Sequence, residues 1–122
     1  MQKIETSHAP GAIGPYSQGF IVNGFVYTSG QIPVDPATGN IPEGIAAQAE
    51  RSCRNVSAVL EAAGSDLGRV VKTTCFLADM ADFAAFNEVY AKFFTGKPAR
   101  SCCAVRQLPK NVLCEIEAIA EL

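Results

Sequence analysis

The sequence predicts an α+β fold in two layers, a β-sheet carrying two helices on a single face. Segments with period-two alternation bracket two segments whose apolar residues recur at three and four, giving the order strand, strand, helix, strand, helix, strand, strand with no internal repeat. Two amphipathic helices can cover only one face of a sheet. The 122 residues suit one domain, taken as 1–122, able to bury roughly two-thirds of the surface of its unfolded chain.

Each element follows from local chemistry. After a short N-terminal segment, Ala9-Pro10-Gly11-Ala12-Ile13-Gly14-Pro15 is too rich in Gly and Pro for a regular element, and forms a loop that delivers Tyr16 to a fixed place. Strands over 17–22 and 25–28 flank Asn23-Gly24, the strongest short hairpin signal, since both turn residues tolerate positive φ. The second strand runs out in Ser29-Gly30-Gln31-Ile32-Pro33. Gly30 there permits close approach of a neighbouring strand or a ligand, or marks a bulge or strand exit. Residues 34–40 form a turn-rich loop.

From 44 to 63 the pattern is helical. Ile45, Ala49, Cys53, Val56, Leu60 and Ala63 make the apolar stripe, Gln48, Arg51, Arg54, Asn55 and Glu61 occupy other faces, and Gly64 ends the helix. Residues 69–77 are rich in β-branched side chains and form a strand. Asp79 or Asp82 caps a second helix, whose aromatic stripe of Phe83, Phe86, Tyr90, Phe93 and Phe94 is core packing.

The last two strands cover 98–105 and 112–120, with Leu108-Pro109-Lys110-Asn111 as the turn between them. Paired as a hairpin, they set Arg100 opposite Glu117 and Cys102 opposite Glu115, while Val112, Cys114, Ile116 and Ala118 line the other side. The side carrying Arg100, Glu115 and Glu117 is then the one the helices leave open. That face must meet something, and a charged fraction of only 18% favours other copies of the chain.

Composition excludes several function classes. A formal net charge of −2 without a Lys/Arg run offers no electrostatic footprint for nucleic acid. Neither a leader-like apolar segment nor an uncharged run approaching about 18 residues occurs, so the expectation is a soluble, cytoplasmic protein without a membrane partner. Five cysteines, odd in number and without C-x-x-C spacing, indicate reduced thiols, and the lone His8 gives a metal no second imidazole. No metal or other cofactor is expected. Cys102 as a nucleophile lacks a nearby base, and a small strand residue is the better account.

The Arg100 guanidinium can grip a carboxylate through two parallel charge-assisted hydrogen bonds, orienting a small 2-oxo or 2-imino acid. A carboxylate such as Glu115 can position a water, accept its proton and return a proton to a departing nitrogen. Hydrolysis of an imine suits such sparse machinery, because its carbon is already electrophilic. Ser/His/Asp and Cys/His arrangements and Gly-rich phosphate loops are all missing from the sequence.

Gly14-Pro15-Tyr16-Ser17-Gln18, Thr28-Ser29-Gly30-Gln31-Ile32-Pro33, Pro98-Ala99-Arg100-Ser101, the Leu-Pro-Lys turn and Glu115-Ile116-Glu117-Ala118 occur in this order. Together they resemble the RidA (YjgF) family of reactive intermediate deaminases over nearly the whole chain. The resemblance implies a chorismate-mutase-like fold, a mixed sheet with both helices on one face, assembled as a homotrimer with ligand clefts between subunits. It also implies that Arg100 holds the substrate carboxylate, that the backbone amides of Gly30 and Cys102 act as donors, that Glu115 handles the water, and that Tyr16, Ser29 and Asn87 line the cleft. Glu117 falls to strand pairing or an interface.

The activity so implied is hydrolysis of 2-iminobutanoate and 2-iminopropanoate, products of pyridoxal-phosphate dehydratases, to 2-oxo acids and ammonia. A non-catalytic binder of small 2-oxo acids is the alternative, and a ribonuclease or translation inhibitor ranks third. Thr95-Gly96-Lys97 is shorter than the loop often found in the family, which bears on the rim of the cleft and the size of the substrate.

Overall fold

A strand too short to show alternation comes first: β1 (Gln2–Ile4) pairs antiparallel with β2 (Gly19–Val22) in the computed structural model, which describes residues 1–122. Asn23 and Gly24 take φ of 51° and 79° and turn β2 tightly into β3 (Phe25–Thr28), the expected hairpin. α1 (Ile45–Ala62) then crosses the sheet and leads to β4 (Val70–Leu77). Asp79 caps a single 3-10 turn by accepting from the Ala81 amide, and α2 (Phe83–Phe93) follows. β5 (Ala99–Ala104) and β6 (Cys114–Glu121) complete a mixed six-stranded sheet in the order β1-β2-β3-β6-β4-β5.

The last two strands are not a hairpin. β5 runs parallel to β4 at the sheet edge, and β6 lies antiparallel between β3 and β4. A parallel neighbour requires a crossover, and α2 supplies it. The nine residues from Val105 to Leu113, including the 3-10 turn Pro109–Asn111, carry the chain past β4. β6 earns the central place through its fully apolar side: Cys114, Ile116, Ala118 and Ala120 are all buried, whereas Ala99, Ser101, Cys103 and Ala104 of β5 are exposed.

This topology also changes which residues share a face. Arg100 is in register with Thr73, and Thr73 with Ala118, so Arg100 and Cys102 stand on the helix side of the sheet. Glu115 and Glu117, in register with Phe76 and Thr74, stand on the open side. The expected meeting of Arg100 with Glu117, and of Cys102 with Glu115, therefore does not occur within one chain.

The core lies between sheet and helices. Val26, Val56, Val59, Leu60, Phe86, Phe94 and Ile116 are inaccessible or nearly so, each contributing about 1.5–3 kcal/mol by its removal from water. Tyr90 is packed between Phe86 and Phe94, and its hydroxyl shares a 2.6 Å hydrogen bond with the hydroxyl of Thr73, which ties α2 to β4. No helix is long and apolar enough to cross a membrane.

Two polar residues that lie off the apolar stripe of α1 are nonetheless buried. Asn55 is inaccessible, and its amide donates to the carbonyls of Ile32 (3.0 Å) and Val34 (2.9 Å). Gln48 donates to the Pro42 carbonyl and accepts from the Leu113 amide. They satisfy loop backbone groups that water cannot reach. Asn55→Ala strands two buried carbonyls and is expected to lower stability by about 3 kcal/mol. Urea unfolding monitored by circular dichroism measures this, and a loss near zero would show that the loop carbonyls find water instead.

Candidate active site

The site residues named from the sequence fall into two groups on opposite faces of the sheet. The first centres on Arg100 at the β5 edge. Its Nη1 donates to Asn87 Oδ1 at 2.8 Å, and its guanidinium carbon lies 4.8 Å from the Tyr90 ring centroid and 5.5 Å from that of Phe83. Asn87 and Phe83 come from one helix face, and the Thr73 hydrogen bond fixes the Tyr90 ring beneath the guanidinium. No carboxylate lies within salt-bridge distance of Arg100: the chain's ion pairs are Lys3–Glu5 and Arg54–Glu50. A half-buried guanidinium held by an amide and two rings keeps its remaining donors free for an anion.

Cys102 shares this face, half-buried against the core. Burial pushes its thiol pKa up, Arg100 pulls it partly down, and Cys103 pushes it up again. A thiol with its pKa raised is a poor nucleophile, in line with a structural role.

The second group centres on Gly30 and Glu115, with Ser29 next to Gly30 in sequence and Tyr16 on the loop that Ser29 holds. A Cβ at Gly30 would lie 1.9 Å from Glu115 Oε2, so only glycine leaves the carboxylate its seat. The Gly30 segment is pinned to β6 by reciprocal backbone hydrogen bonds between Gln31 and Ile116, of 2.7 and 3.2 Å. Ser29 donates its amide to the Gln18 carbonyl and its hydroxyl to the Ser17 carbonyl, which sets the strand exit against the loop bearing Tyr16. Tyr16 itself is 54% exposed.

Gln18, which sequence reasoning did not single out, builds that loop. Its side-chain amide donates to the carbonyls of Thr6, Ala9 and Pro10 and accepts from the Thr6 amide at 2.7 Å. It is nearly inaccessible. A glutamine directly after a Gly/Pro-rich loop is the signal that could have found it, since such a loop has many backbone groups to satisfy.

Glu115 is half-buried, and its carboxyl pKa is raised, first by burial and then by the Glu117 carboxylate two residues along the same side of β6. Chemically, one group can hold an anion and the other can move a proton. Nowhere do three His, Cys, Asp or Glu side chains gather in a way that could hold a metal ion.

Comparison with known proteins matches residues 6–122 to the family described as Endoribonuclease L-PSP. A 2-iminobutanoate/2-iminopropanoate deaminase of Salmonella typhimurium is 54% identical over 121 residues, covering 96% of this chain and 94% of that protein. A Lactococcus lactis protein named as a candidate regulator, AldR, is 54% identical over 124 residues, covering 100% of this chain and 98% of its own. The crystal structure of Escherichia coli TdcF with bound serine superposes with a TM-score of 0.97 at 51% identity, covering 100% of this chain and 99% of that one.

Removing the Glu117 charge relieves the ionised form of Glu115, so Glu117→Gln is expected to lower the Glu115 pKa, as read by NMR titration of its side-chain carboxyl. The sign for stability follows from the same shift. A carboxyl whose pKa is raised on folding is favoured in the folded state below its ordinary value of 4.5, and that contribution fades as pH rises through the raised value. Glu115→Gln is therefore expected to gain stability relative to the parent at neutral pH and not below pH 4.5, in melting curves taken across that range.

Proposed function

The chain belongs to the Endoribonuclease L-PSP family, also called RidA or YjgF, and from that membership we propose that it hydrolyses 2-iminobutanoate and 2-iminopropanoate to 2-oxo acids and ammonia. The observation that carries this reading is Arg100: a half-buried guanidinium, stacked on Tyr90, held by the neutral amide of Asn87, and without a carboxylate of its own. Such a group is ready for a substrate carboxylate.

Within one chain Glu115 lies across the sheet from Arg100. The working site therefore lies between copies, where the β5 edge of one subunit, with Arg100, Asn87 and the Cys102 amide, meets the Tyr16, Ser29, Gly30 and Glu115 group of another. A homotrimer closes three such clefts. The open sheet face, with Phe20, Phe25, Tyr27, Phe76 and Ile119 only partly covered, is the surface for this assembly.

In the reaction, Arg100 fixes the substrate carboxylate and so the plane of the protonated imine. A water adds its oxygen to the imine carbon as the π pair moves to nitrogen, and Glu115 takes the proton the water sheds. Glu115 then returns that proton to the amino group of the carbinolamine. The C–N bond breaks, ammonia leaves, and the hydroxyl gives its proton to the departing ammonia as the 2-oxo group forms. The sum is protonated imine plus water giving 2-oxo acid plus ammonium, that is, ammonia and the proton the imine brought. The raised pKa of Glu115 brings its two protonation states closer together near neutral pH, which suits a group that must accept and return one proton.

A second reading, a non-catalytic binder of 2-oxo acids, is favoured by the regulator name of the Lactococcus lactis relative. The ribonuclease named in the family description finds less support, since the net charge is −2 and the only histidine, His8, is exposed in the N-terminal segment.

The test generates 2-iminobutanoate with a threonine dehydratase and traps it with semicarbazide. Purified protein is expected to lower the trapped yield, Arg100→Ala to abolish that effect, and Glu115→Gln to abolish turnover while 2-oxobutanoate still binds in calorimetry. Undiminished trapping with retained binding would establish the binder instead, and RNA cleavage lost in Arg100→Ala would replace both.

A further inference from the structure

On the outer side of the helix layer, α1, α2 and the 35–42 loop enclose a groove of about 640 Å³. Arg51 lines it, and its side chain is held much as that of Arg100 is. Its Nε donates to Asn55 Oδ1 at 3.2 Å, and no carboxylate lies within salt-bridge distance. Asn55 is itself fixed, being inaccessible and donating to the carbonyls of Ile32 and Val34. The half-buried guanidinium is therefore anchored at one nitrogen, while Nη1 and Nη2 donate to no protein atom. No buried side-chain nitrogen lacks a partner, so this end of the fork is open to solvent.

The remaining walls restrict the occupant. Ile41, Ala46, Ala47 and Val89 supply an apolar side. Of the two bordering carboxylates, Glu50 is paired with Arg54 at 3.3 Å, and Asp35 accepts the Ala37 amide of its own loop at 2.9 Å. Lys92 is the third cation after Arg51 and Arg54, so one positive charge is left over, which a monoanion balances and a phosphate dianion exceeds. The two free nitrogens of a guanidinium match the two oxygens of a carboxylate.

We propose that this groove is a second anion site, which takes a monocarboxylate with an apolar body: the carboxylate sits on the Nη edge of Arg51 and the hydrocarbon lies along Ile41 and Val89. The site is separate from the Arg100 cleft. Arg51 stands on α1 and Arg100 on β5, and no residue lines both the groove and the hollow beside Arg100. The assignment does not rest on the deaminase reading.

Heteronuclear NMR tests this by following the Arg51 Nε–H resonance and the Ile41 and Val89 amides during titration with hexanoate, butanoate and inorganic phosphate at constant ionic strength. Hexanoate is expected to shift all three saturably, and butanoate to bind about fourfold more weakly, the scale of two partly covered methylenes. Arg51→Gln keeps a donor for Asn55 and is expected to weaken hexanoate about tenfold. Ala47→Glu, on an exposed position one turn before Arg51, supplies an internal carboxylate and is expected to abolish binding with the fold intact. Arg100→Ala is expected to titrate as the parent does, which separates the groove from the cleft. A shift that rises without saturation, undiminished affinity in Arg51→Gln or Ala47→Glu, or loss of binding in Arg100→Ala would overturn the site. Phosphate binding as tightly as hexanoate would overturn the monocarboxylate assignment. Shifts centred on Leu67 and His8 would do the same for the groove, since Arg51 also borders a hollow of about 450 Å³ on that side.

Discussion

The constraint on which the structure depends is the central position of β6. A strand with neighbours on both sides satisfies all its backbone groups within the sheet, and strict alternation then dictates the direction of every side chain. On β6 that rule buries Cys114, Ile116, Ala118 and Ala120 beneath the helices and turns Glu115 and Glu117 the other way. Because β4 separates β6 from β5, the side chain of Arg100 answers to the register of Thr73, not to that of Glu115. One topological choice thus places the cation and the carboxylate of the proposed chemistry on opposite faces, so that within one chain they do not meet.

Much of the fold was legible because its signals are local. Asn23-Gly24 announced its turn by tolerance of positive φ, and the aromatic spacing from Phe83 to Phe94 showed the side α2 turns inward. What failed was non-local. The Leu108-Pro109-Lys110-Asn111 turn has hairpin-like chemistry, but no short-range feature reveals that β4 has already taken β5 as a parallel neighbour through α2. β1, at three residues, is too brief for periodicity to register. The burial of Gln48 and Asn55 was not legible for a different reason: periodicity puts them off the apolar stripe but does not show that they serve loop carbonyls and an amide that cannot be hydrated.

The candidate site was legible as a set of residues and not as an arrangement. Arg100 and Asn87, thirteen positions apart and on different elements, meet through a hydrogen bond that neither strand nor helix periodicity contains. Gly30 and Glu115 are a clearer case. The sequence showed that Gly30 could admit something close, but not that the guest is the carboxylate of a distant strand. Gln18 escaped notice because its work is entirely on backbone carbonyls and an amide of the loop before it.

The two margins of the sheet are unequal. At one, β1 is only three residues long and carries Lys3 in an ion pair with Glu5, features that discourage a further strand from docking. At the other, β5 offers six residues with small side chains at Ala99, Ser101, Cys103 and Ala104. A sheet with a single receptive margin can close with a partner, but it cannot propagate end to end into a fibre, so the shortness of the first strand shields the chain from uncontrolled polymerisation.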